Sequence, residues 1–98
     1  MARQVRGSHE AATDLESIAE YISRDSTFYA AAFVEEVLSV AATLERFSGR
    51  GRVVPEVGEE IIRELFVKGY RLLYRIGDDS VLVLGVIHGR RDLGRARE

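Results

Sequence analysis

The apolar residues of this chain change their spacing once, about halfway along, and that change limits the folds open to it. From His9 to Arg24 they fall at Ala11, Ala12, Leu15, Ile18, Ala19 and Ile22, a spacing that lays them along one stripe of a helix. A second helical set runs from Thr27 to Arg46: Ala30, Phe33, Val34, Val37, Leu38, Val40, Ala41 and Leu44, with Phe47 just beyond. A stripe that broad needs burial on more than one side. The short link between the sets points to two antiparallel helices, a helical hairpin. Ser8 stands where the first helix needs an N-cap, and Asp25 and Ser26 can cap the second.

Beyond the glycines at 49 and 51 the period shortens. Ile61 to Val67 and Gly69 to Ile76 alternate as strands do; in the second, Tyr70, Leu72, Tyr74 and Ile76 share one face and Arg71, Leu73 and Arg75 the other. Gly77 to Ser80 has the composition of a hairpin turn. Val81 to Ile87 is nearly all apolar, as in a strand flanked by others and covered on both faces. Residues 53–60 read as an exposed connection, and residues 2–7 as a short edge strand built on Val5. The order is β-α-α-β-β-β, which predicts an α+β fold with an antiparallel sheet and a helical hairpin packed on one face. With 98 residues and no internal repeat, residues 1–98 are expected to form one domain, ending in a basic tail from about 90 to 98.

The sequence has no cysteine, which removes disulfides, thiol nucleophiles and cysteine zinc sites. His9 and His88 show no ligand spacing, so neither a metal nor a cofactor is expected. No apolar run approaches the ~18 residues of a membrane span. Arg3 and Arg6 lead into no apolar signal segment, so the expected location is the cytoplasm. The net charge of −2 is unevenly spread: residues 1–67 carry 7 basic and 12 acidic side chains, residues 68–98 carry 7 and 4. The C-terminal third therefore suits an anionic partner, or is simply a solvated end. Gly49-Arg50-Gly51-Arg52 fits either a phosphate-binding turn or a plain loop.

Four segments in this order resemble the RelE/ParE toxin superfamily. They are Ala11-Ala-Thr-Asp-Leu-Glu-Ser-Ile-Ala-Glu-Tyr-Ile22, Ile62-Arg-Glu-Leu65, Gly69-Tyr-Arg-Leu-Leu-Tyr-Arg-Ile76 and Val86-Ile-His-Gly-Arg-Arg-Asp92. The resemblance spans about residues 5–93. It implies the toxin of a bacterial type II toxin–antitoxin or plasmid-stabilisation module, silenced by a cognate antitoxin. It also implies one of two activities. ParE-like members inhibit DNA gyrase without catalysing a reaction, whereas RelE-like members cut messenger RNA on the ribosome.

For the nuclease, the resemblance points to Arg71 and Arg91 as phosphate-cradling cations and His88 as an acid/base. Arginine is suited to that task because it holds phosphate bidentately and stays charged. Each has a plainer reading: Arg71 as a sheet-surface cation paired with Glu64, Arg91 as part of a solvated tail, and His88 as a half-buried strand end bonded to backbone. The sequence departs from the nuclease pattern in two places. Ile62, Arg63 and Glu64 stand where lysines are usual, and no tyrosine follows in the tail. A carboxylate beside a scissile phosphate opposes the charge that develops there. These departures favour the gyrase inhibitor, with Arg90, Arg91, Arg95 and Arg97 as the expected binding residues. The ribosome and mRNA remain the alternative partners, and a non-toxic binding module is a third reading. The aromatic residues Phe66, Tyr70 and Tyr74 are expected in the core. The excess apolar surface of the second helix, together with a sheet edge, suits an antitoxin segment that adds as a strand or lies as a helix in a groove.

Overall fold

The computed structural model describes residues 2–90. The first strand, β1 (Gln4–Gly7), leads into α1 (His9–Ser23) and α2 (Thr27–Thr43). Both helices begin at a serine N-cap, as the sequence requires. Ser8 accepts from the Ala11 N–H and Ser26 from the Tyr29 N–H, each satisfying an otherwise orphaned donor of the first turn. After α2 the chain makes a short 3₁₀ turn at Ser48–Arg50. Four strands follow: β2 (Arg52–Val53), β3 (Ile62–Val67), β4 (Tyr70–Ile76) and β5 (Ser80–His88).

The five strands form one sheet in the order β1-β5-β4-β3-β2. The meander β3-β4-β5 is antiparallel, but β1 pairs with β5 in parallel, with Val5 opposite Val81. The α+β layout with a hairpin on one sheet face is the predicted one, and the single parallel ladder is the refinement. That ladder follows from connectivity. The helical hairpin returns the chain to the far side of the sheet, so the meander's last strand runs alongside the first.

Two expectations are corrected. Residues 53–60 are not wholly exposed: Arg52 and Val53 pair with Glu64 and Arg63, and Val54 is completely buried. Phe66 is not in the core; it lies 55% exposed with the Arg52 guanidinium 5.2 Å from its ring centre. Tyr74 and Tyr70 do face inward. Tyr74 joins Phe33, Val37, Leu44, Leu72, Val81 and Val86 in the core, with Tyr70 packed against it. A buried side chain of that size contributes roughly 1.5–3 kcal/mol.

The β3–β4 hairpin turns on Lys68 (φ 48) and Gly69 (φ 85), between the paired Val67 and Tyr70. Two consecutive positive φ values give the turn whose twist matches the strands. The β4–β5 pairing skips a residue, so that Leu73 faces Gly85 while Tyr74 faces Val83. Leu84 is the extra residue of this bulge. Helix α1 clamps it: the Ser8 hydroxyl donates to the Leu84 carbonyl at 3.1 Å, and the Asp14 carboxylate accepts from the Val86 N–H at 2.9 Å.

Candidate functional site

Alternation along β4 places Tyr70, Leu72 and Tyr74 toward the helices and Arg71 on the opposite face. On that opposite face the structure builds a closed ionic cluster. Glu64 of β3 accepts from Arg71 Nε at 2.6 Å through one oxygen and from Arg52 Nε at 2.6 Å through the other. The loop after β2 brings in Glu56, which takes the two remaining Arg71 nitrogens at 2.9 and 2.8 Å. Glu64 is 1% exposed and Arg71 3%. The hydrogen bonds from Arg71 to Glu56, and then its pairing with Glu64, outweigh burial and hold the guanidinium above its already high ordinary pKa. Arg71 is therefore a buried cation neutralised by two carboxylates of its own chain.

His88 lies elsewhere. It is opposite Tyr70 in the ladder and its ring meets Tyr70 edge-on at 5.6 Å, on the helix side of the sheet. The side chain is exposed, and Nδ1 accepts from the Arg90 N–H at 3.3 Å, which puts the proton of a neutral ring on Nε2. Arg71 and His88 thus point to opposite faces, and the strand geometry does not bring them into one site. Arg90 is exposed; Arg91, Arg95 and Arg97 lie outside the described residues. Among the described residues no cluster of His, Cys, Asp or Glu is arranged to hold a metal ion. No described helix is long and apolar enough to cross a membrane.

Two features legible in sequence only in outline, a glycine-containing turn and an apolar excess on the second helix, acquire their partners in the structure. The first is the turn at 48–51. The buried Tyr74 hydroxyl donates to the Ser48 carbonyl at 2.6 Å and accepts from the Gly51 N–H at 2.9 Å. A Cβ on Gly51 would lie 2.6 Å from both the Glu64 carbonyl and the Tyr74 hydroxyl, so glycine is required there by close packing. Its N–H is spent on Tyr74, which leaves no phosphate-binding nest built on that amide. Burial raises the Tyr74 pKa, with the Gly51 amide opposing the shift.

The second is an apolar groove of about 480 Å³ where the start of α1 and the end of α2 diverge beside β1. Its walls include Val5, Ala12, Leu15, Leu38 and Ala42, with Glu45 and Arg6 among the lining. The broad apolar set of α2 was the signal for it. The inner residues Ala30, Phe33 and Val37 are buried, whereas Phe28, Tyr29 and Leu38 remain 74%, 66% and 58% exposed.

A helical hairpin on one face of a β-meander is the α+β layout this chain shares with solved toxin–antitoxin structures of the ParDE and RelBE2 systems. The chain belongs to the ParE toxin family: the sequence model of the ParE toxin of the type II toxin–antitoxin system parDE matches residues 5–93. Among solved structures it is similar to the chromosomal ParDE toxin–antitoxin system from P. aeruginosa. There the TM-score is 0.73 and the identity 17%, over 89% of this chain and 96% of that one. It is also similar to the toxin–antitoxin complex RelBE2 from Mycobacterium tuberculosis, with TM-score 0.63 and 28% identity over 90% and 99% of the two chains. A comparison with curated proteins returns no match.

Proposed function

We propose that this ParE-family toxin acts in the cytoplasm by binding DNA gyrase, breaks no bond itself, and is silenced by a cognate antitoxin within a plasmid-stabilisation or related addiction module. One observation carries the choice of a binding mode over a nuclease. Arg71, the cation that a phosphate-cleaving member would offer from β4, is closed by Glu56 and Glu64. A scissile phosphate would have to displace two carboxylates and then sit beside them, which opposes transition-state charge. The separation of His88 from Arg71 across the sheet supports the same reading. In this reading the cationic stretch Arg90, Arg91, Arg95 and Arg97 supplies the contact to gyrase, where positive charge speeds encounter with an acidic surface.

The test is supercoiling by purified gyrase in the presence of the toxin, beside cleavage of mRNA on programmed ribosomes. Inhibited supercoiling with intact mRNA is the expected result. Cleaved mRNA with normal supercoiling would establish the second reading, a RelE-like endoribonuclease, which the likeness to RelBE2 favours. Normal growth on expression without antitoxin would leave only a binding module.

A further inference from the structure

One transverse row of the sheet presents cations that the fold does not neutralise. Arg6 of β1, Leu82 of β5 and Arg75 of β4 are successive ladder partners. Their chain neighbours Val5, Val81 and Tyr74 face the core. Alternation therefore puts all three on the sheet face turned away from the helices, and all three are exposed. Ile62 of β3, paired with Arg75, ends the row half-buried. Adjacent strands lie ~4.8 Å apart, so the two arginines flank one leucine at a backbone separation of ~10 Å.

Elsewhere on this face the cations are taken: Arg52 and Arg71 are held by Glu64 and Glu56. Arg6 donates to Gln4 Oε1 at 3.1 Å, and neither Arg6 nor Arg75 forms an ion pair with a carboxylate among the described residues. The two layers of the molecule also differ in sign. The five strands hold Arg6, Arg52, Arg63, Arg71 and Arg75 against the carboxylate of Glu64, while residues 9–47 hold eight carboxylates against two arginines. An acidic partner is drawn to the sheet side and repelled by the helices.

The apolar centre of the row selects the kind of partner. A nucleic-acid backbone has nothing aliphatic to cover Leu82 and Ile62, and the row carries no aromatic ring on which a base would stack. A protein segment with two acids about one aliphatic side chain answers every part of it. Spacing gives the form of that segment. Side chains on one face of an extended strand repeat every ~6.8 Å, out of step with ~10 Å. In a helix, residues i and i+7 lie ~10.5 Å apart with i+3 and i+4 between them. We propose that the row Arg6–Leu82–Arg75 is a second contact with the toxin's target, across which a helix lies with Asp or Glu at i and i+7 and an aliphatic residue between. The proposal rests on the gyrase reading above. It adds a surface six residues, or ~20 Å, along β5 from the cationic stretch that follows His88, and the chemistry of what that surface holds.

The experiment measures binding of toxin variants to purified gyrase at two salt concentrations, beside inhibition of supercoiling, with circular dichroism to confirm the fold. Arg6→Glu with Arg75→Glu should weaken binding about tenfold or more, chiefly through slower association, and flatten its salt dependence. Leu82→Ala should weaken it about fivefold through faster dissociation. Arg24→Glu with Arg46→Glu makes the same change in net charge at two exposed positions of the helical side, and should alter binding less than about threefold. If gyrase binds the wild type and the Arg6/Arg75 variant alike, the row is not a contact, while the gyrase reading stands. If the wild type neither binds nor inhibits gyrase, that reading fails and the proposal with it. Equal losses in the two double variants would trace the effect to net charge and overturn the row. Binding of the wild type to duplex DNA alone, abolished by the Arg6/Arg75 reversal, would make nucleic acid the occupant and overturn the proposal.

Discussion

Glu64 and Arg71 sit seven residues apart on adjacent strands and meet at 2.6 Å on the sheet face turned away from the helices, both almost sealed from solvent. The pair would be costly if incomplete, since a lone buried charge loses its hydration without recompense. It is complete because Arg52 takes the second Glu64 oxygen and Glu56 takes the outer nitrogens of Arg71.

Removing one member should therefore cost far more than removing the pair. Glu64→Ala is expected to destabilise the protein by about 3–5 kcal/mol by leaving a buried guanidinium half-paired. Glu64→Met combined with Arg71→Met should recover much of that loss. Urea denaturation of the two variants checks the difference, and equal losses would show that the charges do not act as a unit.

The Tyr74 hydroxyl makes two buried hydrogen bonds that pin the 48–51 turn to the sheet. Tyr74→Phe leaves the Ser48 carbonyl and the Gly51 amide without these partners, an expected loss of about 1–3 kcal/mol. Its pH dependence has a definite sign. The pKa is raised in the folded state, so the unfolded chain releases the proton first. Stability from this residue is intact below the ordinary tyrosine value of about 10 and declines as pH rises beyond it. Thermal melts between neutral and strongly alkaline pH should show a decline that is smaller in Tyr74→Phe.

The bulge at Leu84 depends on a helix for its hydrogen bonds. Asp14→Ala removes the acceptor of the Val86 N–H, with an expected cost of about 1–3 kcal/mol and faster hydrogen exchange at the Val86 amide. Gly85→Ala should be comparably harmful, because a Cβ there would lie 2.9 Å from the Asp14 carboxylate. Unchanged exchange at Val86 in Asp14→Ala would mean that the bulge holds itself.

Lys68 occupies a left-handed backbone position, φ 48, in the β3–β4 turn. Lys68→Asn or Lys68→Gly relieves a conformation that a lysine adopts at some cost. A gain of about 0.5–1 kcal/mol is expected, read from the urea midpoint, with no change in toxicity since the turn's geometry is kept.

Function separates the two readings of Arg71. Under the gyrase reading, His88→Ala should leave inhibition of supercoiling within about twofold, as expected of an exposed side chain outside the packed core. Neutralising Arg90 and Arg91 together should slow association and raise its dependence on toxin concentration. A nuclease would behave oppositely, losing mRNA cleavage in His88→Ala or Arg71→Lys.

Much of the fold was legible because hydrophobic period is a local property. The spacing Ala11-Leu15-Ile18-Ile22 gives a helix wherever it is read, and the alternation Tyr70-Leu72-Tyr74-Ile76 gives a strand with one buried face. Serines before both helices mark their starts for the same reason. The two-residue strand β2 was not legible, since Arg52 and Val53 are strand only because β3 lies beside them. The bulge within β5 was not legible either: Val81 to Ile87 reads as one continuous apolar strand, and nothing local identifies Asp14 as the clamp of Val86.

The sequence alone determined most of the inward-facing residues of the helices and of β4, the order of the longer elements, and that an acid had entered the face where cations were expected. Whether that acid stands apart from Arg71 or closes upon it was decided by tertiary structure. Pairing of Arg71 with Glu64 was one of the two readings left open by sequence, and strand register makes it; a loop carries Glu56 across, and pleat parity sends His88 to the other face. Such relations depend on distances between residues far apart in the chain, and hydrophobic period, being local, carries no record of them.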